Sequence, residues 1–423
     1  MLLLAVAGVV SAALFVIRWD TTPQRAYPDS YWYVKQAASF SGMPEGEAKR
    51  FAARTICDRG QPNVPSLGWP NCKDGVVMYA DSFPERYNRI LDTRVGYPLF
   101  ATPFVFVFGE SGMTLATLVL GIIAGMATAL VIRMLGGNWI QSLAAIVLLY
   151  LLPTGYWMTR LLGEGGAIAG TLVTLCAATA LLRATSKRAR WVTAGVVGFG
   201  LFATTLTKSA NGALLGAALA GVAVIIAIVA LIRGRRPESQ VLTLLGVSVG
   251  MVVLYQVIGV LFNLPGMGET LQDKYTRHFT LPDVADPWHR LWDQNSAFWP
   301  WFIKSWINGD ATMTASPMLA ILFGGVYVLF RALPWRDALM WLATGLTGIA
   351  ALLAHPIWTE ADRLLIFVWL PMSIGLAMVA RRRRPADSER PETPPTAEQE
   401  AEHPALPRQR EPRAETVDQP VVH

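Results

Sequence analysis

An all-α polytopic membrane protein of about ten transmembrane helices is the fold class that the sequence predicts, and three observations predict it. Of its 423 residues 53% are hydrophobic and only 16% are charged. The apolar residues gather in blocks of the roughly 17–25 residues that a bilayer-crossing helix needs. Between the blocks lie short basic clusters, the pattern that sets orientation in a membrane. The formal charge of +6 resides in those clusters, so it does not point to nucleic acid as a partner.

The first expected span, residues 1–17, is apolar or small throughout and ends at Arg18-Trp19-Asp20. It lacks the basic start and the A-x-A cleavage site of a signal peptide, which predicts a retained anchor. Residues 18–111 then form a large polar loop with amphipathic and interfacial helices. Within it, VGYPLFATPFVFVFG (95–109) is too short to span comfortably and carries two prolines, so it reads as interfacial or re-entrant. Six spans follow inside 112–262, at about 112–132, 138–154, 162–182, 191–207, 211–232 and 240–262. A second loop covers 263–313, and three more spans fill 314–380, at about 314–331, 338–354 and 364–380.

Five basic clusters, RMLGGN, RATSKRAR, RGRRPESQ, RALPWR and RRRR, all fall on one side of this arrangement. By the positive-inside rule both termini are then cytoplasmic and the two large loops lie outside. The tail, 381–423, is rich in Pro, Glu, Arg and Thr with almost no aromatic or branched apolar residues. Such a segment cannot bury enough surface to fold alone, which predicts a disordered cytoplasmic tail. Abundant Ala and Arg suit a bacterial plasma-membrane protein.

Cys57 and Cys72 share the first loop, whereas Cys176 lies within an apolar block as inert packing. A disulfide across so short a loop contributes about 3 kcal/mol in the chain-entropy model, and it requires an oxidising compartment. Two cysteines with no nearby histidine suit zinc less well.

The chemistry-bearing residues crowd the outer side. Asp29 stands among Tyr27, Tyr31, Trp32 and Tyr33, rings at home at a lipid–water boundary. Arg94 precedes a Gly-Tyr-Pro break. MTRLLGEGG places Arg160 and Glu164 four apart, on one face if the segment is helical, either as a local ion pair or as part of a site. Lys208 and Asn211 lie between two spans. His355, Glu360, Asp362 and Arg363 share one outer turn. Ionisable groups at span ends are costly unless paired or facing a cavity, so their repetition on one side predicts a polar site there. In the loop 263–313, YTRHF and an aromatic run from Trp288 either lie on the membrane or bind sugar faces. No P-loop, dinucleotide fingerprint, HExxH or nucleophile elbow occurs.

Four segments in this order, DSYWYVKQA, RVGYPLFATPFVFVFG, RLLGEGGAIAG and EADRLLIFVWLP, resemble the C-type (GT-C) integral-membrane glycosyltransferases, the polyprenyl-phosphate-sugar-dependent superfamily. The likeness covers residues 1–380 in organisation. It implies inverting transfer of a sugar from a polyprenyl-phosphate sugar to a hydroxyl on a glycan, lipid or protein, outside the membrane. It maps the family's loop acid onto Asp29, as catalytic general base or as part of an acceptor or metal site, while the one-sided charge makes Arg94, Arg160, Lys208 and Arg363, with Glu164, the phosphate- and donor-binding set. Tyr33, Tyr97 and His355 are further residues of the acceptor side. A divalent metal, Mg or Mn, serves some relatives. Here Ser30 replaces a paired acid and no second acid pair follows, which leaves the metal open. A lipid transporter or a non-catalytic envelope-assembly protein is the rival expectation. Inverted repeats and broken mid-membrane helices would mark the transporter.

Overall fold

The computed structural model describes residues 2–22, 25–60, 72–308 and 316–379. Contacts divide the chain into Met1–Arg382 and Arg383–His423, and all described residues lie in the first unit. The tail expected to be disordered lies outside the described residues.

The described chain is helical, without a strand. Among the described residues seven helices are long and apolar enough to cross a membrane: Leu2–Thr21, Ser111–Met134, Glu164–Leu181, Lys187–Thr207, Ser209–Ile232, Ser239–Leu261 and Trp335–Ala354. The chain is therefore a multi-pass membrane protein. The other three expected spans differ from the sequence reading. Residues 138–154 divide into Trp139–Leu151 and Pro153–Met158, because Leu152 is extended ahead of a proline. The span expected near 314–331 is the 17-residue helix Ser316–Ala332. The last one, near 364–380, is broken into Ala361–Leu364, a 3-10 turn Leu365–Val368 and Trp369–Ala377.

Local chemistry accounts for the helix ends. Asn138 and Gln141 cap Trp139–Leu151 reciprocally, each side-chain oxygen accepting from the other's backbone N–H at 2.9 Å. Ser186 caps Lys187–Thr207 through the Ala189 N–H. Inside the bundle Thr117, Thr128, Thr174, Thr204 and Thr344 donate to carbonyls four residues back, so their burial leaves no hydroxyl unpaired. Small residues draw spans together. A Cβ at Gly170 would lie 2.5 Å from Thr204 Oγ1, a separation that only glycine tolerates.

The loops sort into two groups by what they touch. Arg183 pairs with Asp337 at 2.6 Å, Arg336 with Glu238 at 2.8 Å, and the Gln240 amide donates to the Ala184 carbonyl. Three of the basic loops thus share one rim. The first large loop folds into the helices Pro28–Phe40, Glu45–Thr55, Cys72–Asp81 and Glu85–Asp92, joined through a Cys57–Cys72 disulfide. Segment 95–109 is the helix Gly96–Phe108, which turns at Gly109 (φ 57°) to lie against Ser111–Met134. The helix Pro287–Asn308 leaves Trp288, Trp292 and Trp301 exposed while Phe298 and Phe302 pack on Leu352 and Leu365. Its aromatics have the distribution of an interfacial helix.

Candidate functional site

At the rim opposite the basic loops, five charged residues from five separate elements meet. Asp29 enters from the first turn of Pro28–Phe40. Pro28 presets the first helical position, and Ser30 Oγ accepts the Tyr27 N–H at 2.9 Å. The carboxylate therefore stands where the helix dipole favours it. Arg94 comes from the turn before Gly96–Phe108. A Cβ at Gly96 would lie 2.7 Å from the Leu206 and Thr207 backbone, so glycine lets this turn reach the chain just ahead of Lys208. Lys208 is the extended residue (φ −146°, ψ 96°) that separates two spans. Glu164 is the first residue of its span, and Arg363 belongs to the single turn Ala361–Leu364.

Arg363 is the centre. Its Nη2 donates to Asp29 Oδ2 at 2.8 Å and its Nε to Glu164 Oε1. Lys208 Nζ donates to the same Glu164 oxygen at 2.7 Å. Arg94 Nη1 stands 3.5 Å from both Asp29 Oδ2 and the Tyr33 hydroxyl. Side-chain exposure is 0% for Glu164, 6% for Arg363 and 11% for Lys208. Glu360 approaches Arg363 from outside at 3.9 Å. The inner group holds three cations against two carboxylates, one unneutralised positive charge. Counting Glu360 together with Lys274, which is near His355, leaves that excess unchanged.

Burial pushes the Asp29 carboxyl up, but Arg363 and then Arg94 outweigh it and hold the group below the usual carboxylate range. His355 is held neutral. Burial first, then Lys274, Arg94, Arg363 and Lys208, bring its imidazole down to about 3, and its buried Nδ1 has no hydrogen-bond partner.

Two expected site residues stand apart. Tyr97 is buried behind Tyr33, edge-on to its ring, and shares a 2.7 Å hydrogen bond with Thr117. Arg160 does not pair with Glu164. It lies in the turn before the helix, so the four-residue spacing that suggested a common face has no helical backbone beneath it. Arg160 is instead enclosed by Tyr27, Tyr156 and Trp157.

The structure adds Asp273 and His278, which the sequence reading did not single out. His278 Nδ1 lies 2.9 Å from Asp273 Oδ1, and its ring packs on Phe83 and Tyr87, the latter edge-on to Trp32 of the Asp29 helix. Arg277, His278 and Phe279 all have φ between 52° and 61°, a left-handed run that costs energy at non-glycine residues. Only the letters YTRHF could have signalled them, and nothing there links them to Asp29 some 250 positions earlier.

The hydrogen bond that His278 donates to Asp273 raises its pKa, burial opposes it, and the charges of Asp273, Asp29 and Glu360 add to the rise. The resulting stabilisation is complete below the unfolded value near 6.5 and fades as pH rises through the higher folded value. Amide protection across residues 267–281 is therefore expected to fall as pH rises above about 6.5, after correction for intrinsic exchange. His278→Gln should abolish that slope. A flat profile in the wild type would show that the pair does not hold the turn.

The donor set does not suit a divalent cation. A guanidinium stands between the two carboxylates, and among the described residues no three His, Cys, Asp or Glu side chains converge. Beside the cluster an apolar groove begins at Thr93 and Ser209, the neighbours of Arg94 and Lys208, and runs along Phe202, Leu206, Leu254 and Ile258. No family model matches the chain, and no curated protein does either.

Proposed function

We propose that this protein transfers a sugar from a polyprenyl-monophosphate donor to a hydroxyl acceptor, at the extracytoplasmic face of a bacterial plasma membrane. The observation that carries the reading is the cation-rich cluster at one rim, with an apolar groove opening beside it. A lipid-borne sugar phosphate has that same division, an anion at head-group height and a tail that stays in hydrocarbon. On this reading both termini are cytoplasmic, and the short and broken helices complete ten membrane segments.

Arg94, Arg363 and Lys208 receive the donor phosphate, and they stabilise the charge that grows on it as the sugar departs. The acceptor oxygen attacks the anomeric carbon from the opposite side, the bond to the phosphate oxygen breaks, and configuration inverts. Asp29 takes the hydroxyl proton. Paired with two arginines, its carboxylate is a weak base. The arriving phosphate gives both guanidinium groups another acceptor, which loosens their hold and strengthens the base. Glu164 keeps Arg363 and Lys208 in position from behind.

The test is purified protein supplied with labelled polyprenyl-phosphate hexoses and pentoses and a cell-envelope extract as acceptor. The expected result is label moving into the extract with equimolar release of polyprenyl phosphate. A full donor series giving neither would end the transferase reading.

A further inference from the structure

We infer that Arg160 and Arg18 form a second anion site, separate from the Asp29 cluster, that takes the phosphate of a membrane lipid lying against the first span. The inference stands apart from the transferase reading, because it rests on unpaired charge and not on Asp29.

Arg160 is fully buried, and apart from an approach to the Tyr156 hydroxyl its Nε, Nη1 and Nη2 have no hydrogen-bond partner among the described residues. Among the described residues no carboxylate lies within ion-pair distance of it. Its guanidinium carbon is 3.7 Å from the Tyr156 ring centre, 5.1 Å from that of Tyr27 and 5.6 Å from that of Trp157. Ring faces attract a cation, but they cannot accept the five N–H bonds that a guanidinium offers. A buried charge with its donors unmet is a costly state that native proteins rarely keep.

Arg18 makes the imbalance larger. Its guanidinium carbon is 5.6 Å from the same Tyr156 ring, and its Nε is also buried without a partner. Two cations therefore share one ring with no acid between them. Like charges held on one ring repel each other, and a bound anion relieves that repulsion. Arginine forks match phosphate oxygens two at a time.

Position selects the source of that phosphate. Arg18 is in the last turn of Leu2–Thr21, whose flank exposes Val9, Val16 and Ile17. A lipid whose chains lie on that flank brings its phosphate to the height of Arg18. Arg18 and Tyr156 are only half-buried, so the way to Arg160 runs past them. Among the described residues neither Arg18 nor Arg160 pairs with Asp29 or Glu164, and the Tyr27 ring beside Arg160 belongs to the residue two before Asp29.

The experiment titrates the full-length protein in neutral detergent with dihexanoyl phosphatidic acid, and separately with inorganic phosphate. Melting temperature and tryptophan fluorescence are read, Trp157 being part of the ring set. Saturable stabilisation by the lipid is expected, with half-saturation at least tenfold lower than for inorganic phosphate. Arg160→Gln and Arg18→Gln should each raise the lipid half-saturation tenfold or more, while Arg94→Gln retains it. Arg18→Gln keeps the test open should Arg160→Gln fail to fold. Equal half-saturation for the two ligands would overturn the lipid assignment. Unchanged binding in Arg18→Gln, or loss confined to Arg94→Gln, would overturn the site itself.

Discussion

Glu164→Gln is expected to destabilise the protein by about 3–5 kcal/mol, the usual cost of removing one partner from a buried charge network. Glu164 Oε1 receives both Arg363 and Lys208, and all three side chains are buried or nearly so. An amide at this position leaves two cations in low dielectric with one formal countercharge, Asp29, for both. The network is a poor source of net stability, since desolvation offsets most of the Coulomb gain. Its members are therefore expected to couple strongly. Glu164→Met together with Lys208→Met should recover part of what either change loses, because an apolar pair leaves nothing unsatisfied. Chemical denaturation in detergent measures this. Glu164→Gln within about 1 kcal/mol of wild type would mean that the carboxylate is not shared as described.

Asp29→Asn is expected to lower the transfer rate by roughly 10²–10⁴-fold, the range that a positioned proton acceptor contributes. The fold should survive, because Asp29 is partly exposed and the amide keeps an oxygen for Arg363. The loss should fall on kcat more than on the donor KM, since phosphate binding belongs to the cations. A carboxyl held low by Arg363 and Arg94 against burial stays ionised through the neutral range. Read as kcat/KM, which reports the free enzyme, activity should therefore decline only when pH falls through that lowered value, below the ordinary pKa of about 3.9. Transfer undiminished in the asparagine variant would remove Asp29 as the base. An acid limb near pH 6 in the wild type would assign the proton to another group.

Membrane character was legible from block length, and the rim that collects the site was legible from the basic clusters. Asp29, Arg94, Glu164, Lys208 and Arg363 were each visible as ionisable residues at the ends of apolar segments, where an unpaired charge is expensive. Arg160 does not share a face with Glu164 because residues 159–163 form a turn, and a four-residue spacing carries no geometry outside a helix. His278 and Asp273 were not singled out because a loop residue's neighbours depend on where the loop lands. The last expected span read as one apolar run, since hydropathy does not register the 3-10 turn that carries its start inward beside Arg363.

By itself, then, the amino-acid order determined that the chain is built of membrane-length apolar helices, that basic clusters gather between them and which cysteines lie close enough to join. Those properties follow from local composition and from the thickness of hydrocarbon. Only the tertiary structure decided that Arg363 bridges two carboxylates, Asp29 and Glu164, 135 positions apart in the chain, and that Arg160 lies among rings with no countercharge among the described residues. Partner choice among buried charges is a long-range matter, because each group takes whichever opposite charge the packed helices bring within a few ångströms.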